Sequence, residues 1–251
     1  MTELPVSEKL YETYASTHAG WGDGSDTALI YRRDIRPHLP FPASGRRVLD
    51  IGCGQGGLVR LLAADGFDAH GVDISPEQVE IAHAAGLSQI RLGDFHRLLD
   101  GSAGTWDAVV ATDLLEHLSK DDVWRTFDEV RRSLRPGGVF LARVPNAVSP
   151  TGGHLMYGDF THETWFTRRS VAQLAAVAGF SSVRVLSCPP VAHGIRSALR
   201  VAVWKGFSGL VKVAMAAETG QLRGHIVTQN LTFVAHRDEA PHPDEARGPR
   251  P

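Results

Sequence analysis

Asp50, Gly52, Gly54, Gly57 and Asp73 form the densest group of residues whose types and spacing could do chemistry. The glycines satisfy G-x-G-x-x-G, in which absent side chains let the backbone approach a ligand at a helix N-terminus, and Asp73 lies 21 residues after Gly52. Alone, this spacing points to a dinucleotide. Asp50, two places before the first glycine, would set a carboxylate beside the phosphates of such a ligand, so a cationic ligand suits the charge better. No H-E-x-x-H, no C-x-x-C and no carboxylate cluster accompanies these residues, so no metal ligands are expected, Asp113 included.

The elements that must hold these residues follow from pattern. The run 46–51 reads as a strand entering the glycine loop, Leu58, Leu61 and Leu62 recur at helical spacing up to Gly66, and 69–72 reads as a second strand closed by Asp73. Ser75, Pro76, Glu77 and Gln78 make a helix start. Strands are predicted at 90–92, 106–112, 139–144, 182–187 and 225–236, and helices from Asp121 to Leu134 and from Thr167 to Ala178. The region 195–217 reads as an apolar helix broken by Gly206 and Gly209. Strands alternating with helices at this rhythm predict an α/β fold with a doubly wound, mostly parallel sheet, whose ligands bind beyond the carboxyl ends of the strands.

The chain of 251 residues, 43% hydrophobic and 22% charged, is long enough for one large domain with a substantial core. Its net charge of −2 offers no basic field for nucleic acid. Two cysteines, Cys53 and Cys188, give no disulfide framework. Residues 1–14 lack the apolar core of a secretory leader, and Arg200, Lys205 and Lys212 interrupt the longest apolar stretch, so a cytoplasmic protein without a membrane span is expected. The segment 238–251, rich in proline and charge, reads as a disordered tail, leaving residues 1–237 as a single domain.

Three segments in register carry a resemblance. Val48 through Gly56 resembles the first motif of the class I S-adenosylmethionine-dependent methyltransferases, Gly71 through Ser75 their second strand end, and Leu134 through Gly138 the turn before their fifth strand. Pro145 to Ala147, Gly158 to Thr167, Val191 to Gly194, Glu218 to Gly220 and Thr228 to Leu231 resemble the branch acting in polysaccharide, glycolipid and specialised-metabolite pathways. The resemblance implies a Rossmann-like seven-stranded sheet with its last strand antiparallel, with S-adenosyl-L-methionine as cofactor and S-adenosyl-L-homocysteine as product. It implies that Asp50, Gly52, Cys53, Gly54 and Gln55 hold the methionine moiety and that Asp73, followed by Ile74, binds the ribose. Gly93, Asp94 and Phe95 would meet the adenine, and Asp113, at the end of strand four, would lie beside the methyl group. Residues 1–45 are then N-terminal lid helices, in which Tyr14 could face the sulfonium by cation–π attraction, and 146–224 carry the substrate and lid insertions.

Methyl transfer is an in-line displacement at a sulfonium carbon, and positioning supplies most of its rate. A neutral hydroxyl acceptor also needs a proton acceptor, and imidazole, with an ordinary pKa of about 6.5, is suited to that role. His117, just past strand four, is the first candidate, and His162, beside Glu163, the second. The acceptor expected is a small or sugar-like molecule methylated at oxygen, in a specialised-metabolite or glycan biosynthetic pathway. The rivals are N-methylation of a natural product, a nicotinamide-dependent oxidoreductase, and a non-catalytic cofactor-binding or assembly protein. Residues 195–217 would serve as a lid or as the face of a homodimer.

Overall fold

The computed structural model describes residues 25–39, 45–191 and 194–238. Tyr14, most of the expected N-terminal lid and all but the first residue of the expected tail lie outside them. The elements are α1 (Ser25–Ile30), continued by a π turn (Tyr31–Ile35) and a 3-10 turn (Arg36–His38), then β1 (Arg47–Ile51), α2 (Gly57–Ala64), β2 (Asp68–Asp73), α3 (Pro76–Ala84) and β3 (Ile90–Leu92). There follow α4 (Phe95–Asp100), β4 (Trp106–Thr112), a 3-10 turn (Leu115–His117), α5 (Lys120–Ser133), β5 (Leu134–Pro145), α6 (Gly152–Met156), α7 (Arg168–Val177), β6 (Ser182–Ser187), α8 (Ile195–Thr219) and β7 (Asn230–His236).

The seven strands form one sheet in the order β3-β2-β1-β4-β5-β7-β6. β1 to β5 run parallel, and β7 lies antiparallel between β5 and β6, as the resemblance implied. Apolar side chains leave both faces, which is what a parallel sheet covered on both sides requires. Val109 and Ala111 of β4 join Leu49, Phe127, Phe140 and Phe233 on one face, while Ala108 and Val110 join Val48, Val59, Leu62 and Leu141 on the other. The parallel register places the carboxyl ends of β1, β2, β3 and β4 along one edge of the sheet, and there the acidic residues collect.

Some boundaries differ from expectation. The Arg135 to Gly138 turn is absorbed into β5 as a bulge, since the pairing steps from Trp106 opposite Leu134 to Ala108 opposite Val139. β7 begins at Asn230 rather than His225, because Asn146 Nδ2 donates to the carbonyls of Ile226 and Thr228 at 2.8 Å each and holds that stretch out of the ladder. The break expected in 195–217 is absent: α8 runs unbroken to Thr219. Glycine lowers helix propensity by about 1 kcal/mol but keeps its N–H, so Gly206 and Gly209 weaken this helix without interrupting its hydrogen bonds. Among the described residues no helix is long and apolar enough to cross a membrane.

Candidate active site

The glycine loop folds as its composition requires. Gly52 and Cys53 donate to the carbonyl of Val72 at 2.9 and 3.2 Å, tying the end of β1 to β2. Gly56 caps α2 with φ +75, and a Cβ there would stand 2.2 Å from Ile90 Cδ1, so only glycine fits. Asp73 holds the loop from the other side: Oδ2 accepts from Gly54 N at 2.7 Å and Oδ1 from Ser75 N at 2.8 Å. Burial raises the Asp73 pKa above the usual carboxylate range despite these bonds. Asp50 is 1% exposed, and its Oδ1 has no hydrogen-bond partner. Burial, with the charge of Asp73 adding to it, pushes its pKa well above the ordinary value. A buried carboxylate oxygen left orphaned is costly, and a cation or strong donor brought beside it would relieve that cost.

Two cavities flank this loop. One of about 420 Å³ is lined by Gly52, Gly54, Asp73, Ile74, Asp94, Phe95, Asp113 and His117, with Gln78, His96 and Arg125. The other, about 520 Å³, is lined by Asp50, Cys53, Gln55 and Thr112 together with Thr27 and Ala28 of α1. Gln78 borders both, and its Oε1 is also buried and unpartnered. Gly93 lines neither cavity; its backbone N–H is bonded to the Asp73 carbonyl at 2.9 Å. Asp94 caps α4 by accepting from His96 N at 2.8 Å. His96 Nδ1 meets Glu129 Oε2 at 2.6 Å, and Arg125 Nε donates to Glu129 Oε1 at 2.6 Å. The sequence reading missed Gln78, His96 and Arg125 as cavity-lining residues; the only advance signals were the helix-start position of Gln78 and the i,i+4 pairing of Arg125 with Glu129.

The end of β4 brings the two candidate histidines together. Asp113 takes a left-handed backbone, φ 52, rare outside glycine and frequent at functional sites, and its carboxylate pairs with Arg143 of β5. The next turn places Glu116 and His117. The backbone carbonyl of Glu116 accepts from Glu163 N at 2.7 Å and Thr164 N at 3.0 Å, and Thr164 Oγ1 donates to the Leu118 carbonyl at 2.7 Å. These bonds seal the 159–164 stretch onto the Leu115–His117 turn. The rings of His117 and His162 consequently meet edge to face with centroids 4.6 Å apart.

Their tautomers follow from the bonds. Thr161 Oγ1 donates its one proton to Asp159 Oδ1 at 2.6 Å, so it accepts from His117 Nδ1 at 2.7 Å. His162 Nδ1 lies 3.1 Å from the Leu155 carbonyl, which can only accept. Both rings therefore carry hydrogen on Nδ1, and it is the neutral form of each that has its lone pair on Nε2. Burial would raise the Asp159 pKa, but the hydroxyl and amide of Thr161 hold it at about 2, so the anchor of this relay is an ionised carboxylate. Glu116 is buried at 1% exposure, with Oε2 unpartnered; burial, with Asp113 adding to it, pushes its pKa well up.

A third cavity, about 710 Å³, lies beneath α8, between Leu29, Ile30 and Arg33 of the N-terminal turns and Arg200, Val203, Trp204 and Phe207. Arg143 and Asn230 also line it. Arg33 is clamped there by Asp34 and the Pro189 carbonyl. Cys53 and Cys188 are both free thiols.

The sequence profile of a family described as "methyltransferase domain" matches residues 26–185. The chain belongs to this family, the class I S-adenosylmethionine-dependent methyltransferases. The methyltransferase is 34% identical over 137 residues to a ubiquinone biosynthesis O-methyltransferase of Xylella fastidiosa, covering 51% of this chain and 55% of the relative. It thus spans about half the length of the relatives it matches by sequence. A methyltransferase structure from Archaeoglobus fulgidus superposes with a TM-score of 0.68 at 19% identity, over 89% of this chain and 99% of that one. Phosphoethanolamine N-methyltransferase 2 of Haemonchus contortus, solved with S-adenosyl-L-methionine, superposes with a TM-score of 0.61 at 18% identity, over 95% and 61% of the two chains. The cofactor of this methyltransferase is S-adenosylmethionine, and the orphaned Asp50 carboxylate beside the glycine loop fits its cationic methionine end.

Proposed function

We propose that this methyltransferase transfers the methyl group of S-adenosylmethionine to a hydroxyl oxygen of a small or sugar-like acceptor, in a specialised-metabolite or glycan biosynthetic pathway. Asp50, Gly52, Cys53, Gly54 and Gln55 hold the methionine end, Asp73 and Ile74 the ribose, and Gly93, Asp94 and Phe95 the adenine, with Asp113 beside the methyl group. Tyr14, outside the described residues, keeps its proposed lid role, and the 146–224 stretch shapes the acceptor side of a single domain.

The observation that carries the reading is the Asp159–Thr161–His117 relay, which leaves the His117 lone pair on Nε2, in a ring lining the cavity that Asp73 and Asp113 also line. His117 takes the acceptor's hydroxyl proton as the oxygen attacks; the new C–O bond forms, the C–S bond breaks, and the sulfonium becomes the neutral thioether of S-adenosylhomocysteine. His162, edge-on to His117, orients the acceptor. The Xylella relative's name, an O-methyltransferase, supports oxygen as the accepting atom. The test is single-turnover transfer from labelled cofactor to a panel of alcohols, phenols and amines, with the product's methyl position assigned. Methyl ethers are expected; methylamines alone would overturn the reading.

A further inference from the structure

Glu116, His117 and His162 each present a metal-capable atom, and these atoms all lie within 4.8 Å of one another. We propose that these three side chains form a divalent-cation site at the edge of the cavity that His117 lines. The inference rests on the hydroxyl-acceptor reading of the same site; with the ion bound, His117 is a ligand and the hydroxyl proton passes to solvent instead of to that ring.

Three independent features point to a cation. The first is the buried Oε2 of Glu116, which has no hydrogen-bond partner. Arg143, whose positive charge reaches Glu116, is engaged by Asp113 and does not satisfy it. A buried carboxylate oxygen without a donor is unfavourable unless a cation belongs there.

The second feature is the orientation of the imidazoles. A histidine that binds metal through one nitrogen characteristically donates its other N–H to a carboxylate, carbonyl or similar acceptor, which fixes the tautomer. His162 donates Nδ1–H to the Leu155 carbonyl, and His117 donates Nδ1–H to Thr161, itself bonded to the Asp159 carboxylate. With Nδ1 of each ring engaged, Nε2 is the nitrogen that the proposed ion would take.

The third is that the ligands come from two segments locked together by the backbone. Glu163 N and Thr164 N on the Glu116 carbonyl fix His162 against the Glu116–His117 pair, so the three-ligand set is assembled before any ion arrives. Two imidazoles and one carboxylate select a borderline ion such as Zn²⁺ or Co²⁺ over Ca²⁺ or Mg²⁺, which prefer oxygen, and three protein ligands leave a fourth position of such an ion to be filled. Such an ion would accept the acceptor hydroxyl as a further ligand and lower its pKa, with the released proton passing to solvent. His117 then acts as a ligand.

Full-length protein freed of metal by chelation is titrated with Zn²⁺ by calorimetry and with Co²⁺ by visible absorption. One equivalent is expected, with the intense d–d bands of a low-coordinate cobalt site. His162→Ala and Glu116→Gln should abolish the bands, and Thr161→Val should weaken Zn²⁺ affinity about 10- to 100-fold, as loss of a ligand's hydrogen-bond partner does. S-Adenosylhomocysteine binding is measured on each variant to show that it is folded; if Glu116→Gln fails that check, the more exposed His162→Ala decides. No binding by the wild type, or binding unchanged in His162→Ala, overturns the site. Metal binding without methyl ether formation leaves the site standing and removes the hydroxyl-acceptor reading, whereas ether formation by metal-free protein with no affinity for either ion does the reverse.

Discussion

His117 Nδ1 lies 2.7 Å from Thr161 Oγ1, although 44 positions separate them in the chain. The bond exists because the 159–164 stretch is sealed to the turn after β4, and it sets which nitrogen of His117 can meet the acceptor. His117→Asn should lower turnover by ~10²–10⁴-fold, whether the ring takes the acceptor's proton or holds the proposed cation, with little change in cofactor affinity. Comparing single-turnover rates with S-adenosylhomocysteine affinity checks this; equal losses in both would place His117 in cofactor binding.

Asp73 serves the fold by accepting from Gly54 N and Ser75 N, besides the ribose-binding role proposed for it. Asp73→Ala should weaken cofactor binding roughly ten- to hundredfold and also lower stability by about 1–3 kcal/mol through the two N–H groups left unpaired. Asp73→Asn, which keeps one acceptor oxygen, should lose less of both. Calorimetric titration together with urea unfolding separates the two effects.

If Asp50 holds the methionine end as proposed, cofactor affinity should depend on pH. Its pKa is raised by burial and by Asp73, so between the ordinary carboxylate value and the raised one the ligand-free protein retains a proton that the unfolded chain has lost, and its stability falls as pH rises through that window. A cationic ligand favours the ionised form. Binding of S-adenosylmethionine should therefore release protons and tighten as pH rises through the window, and Asp50→Asn should abolish both effects. Calorimetry in buffers of different ionisation enthalpy reads the proton count directly.

Gly56→Ala should destabilise the protein by about 1–3 kcal/mol or more, because alanine at φ +75 is strained and its Cβ would overlap Ile90 and Leu87. A shifted denaturation midpoint with unchanged slope is the expected signature.

The sheet and its cofactor edge were legible because they rest on local signals. Val48 to Gly57 and Trp106 to Thr112 carry strand, loop and burial patterns within a dozen residues, and the acids at the strand ends follow from them. The His117–His162 pairing was not legible: both histidines were identified as rival bases, but their convergence depends on hydrogen bonds from Glu163 and Thr164 to the Glu116 carbonyl, and backbone bonds leave no mark on side-chain pattern. The same distance hid the cation cluster, whose third member lies 45 positions from the second, far outside the short spacings by which metal motifs are recognised. The continuity of α8 was misread because glycine changes a helix's energy without removing a hydrogen bond.

The antiparallel β7, wedged between β5 and β6, also governs how the protein comes off the ribosome. β1 through β5 can pair as they are made, but β5 keeps an open edge and β6 has no neighbour until the whole of α8 has been synthesised and β7 emerges. At about 5–20 residues per second that interval lasts several seconds, during which an apolar strand edge is exposed to other nascent chains. Chaperone demand should therefore concentrate late in synthesis, and truncations anywhere before Asn230 should aggregate even though every residue of the glycine loop is present.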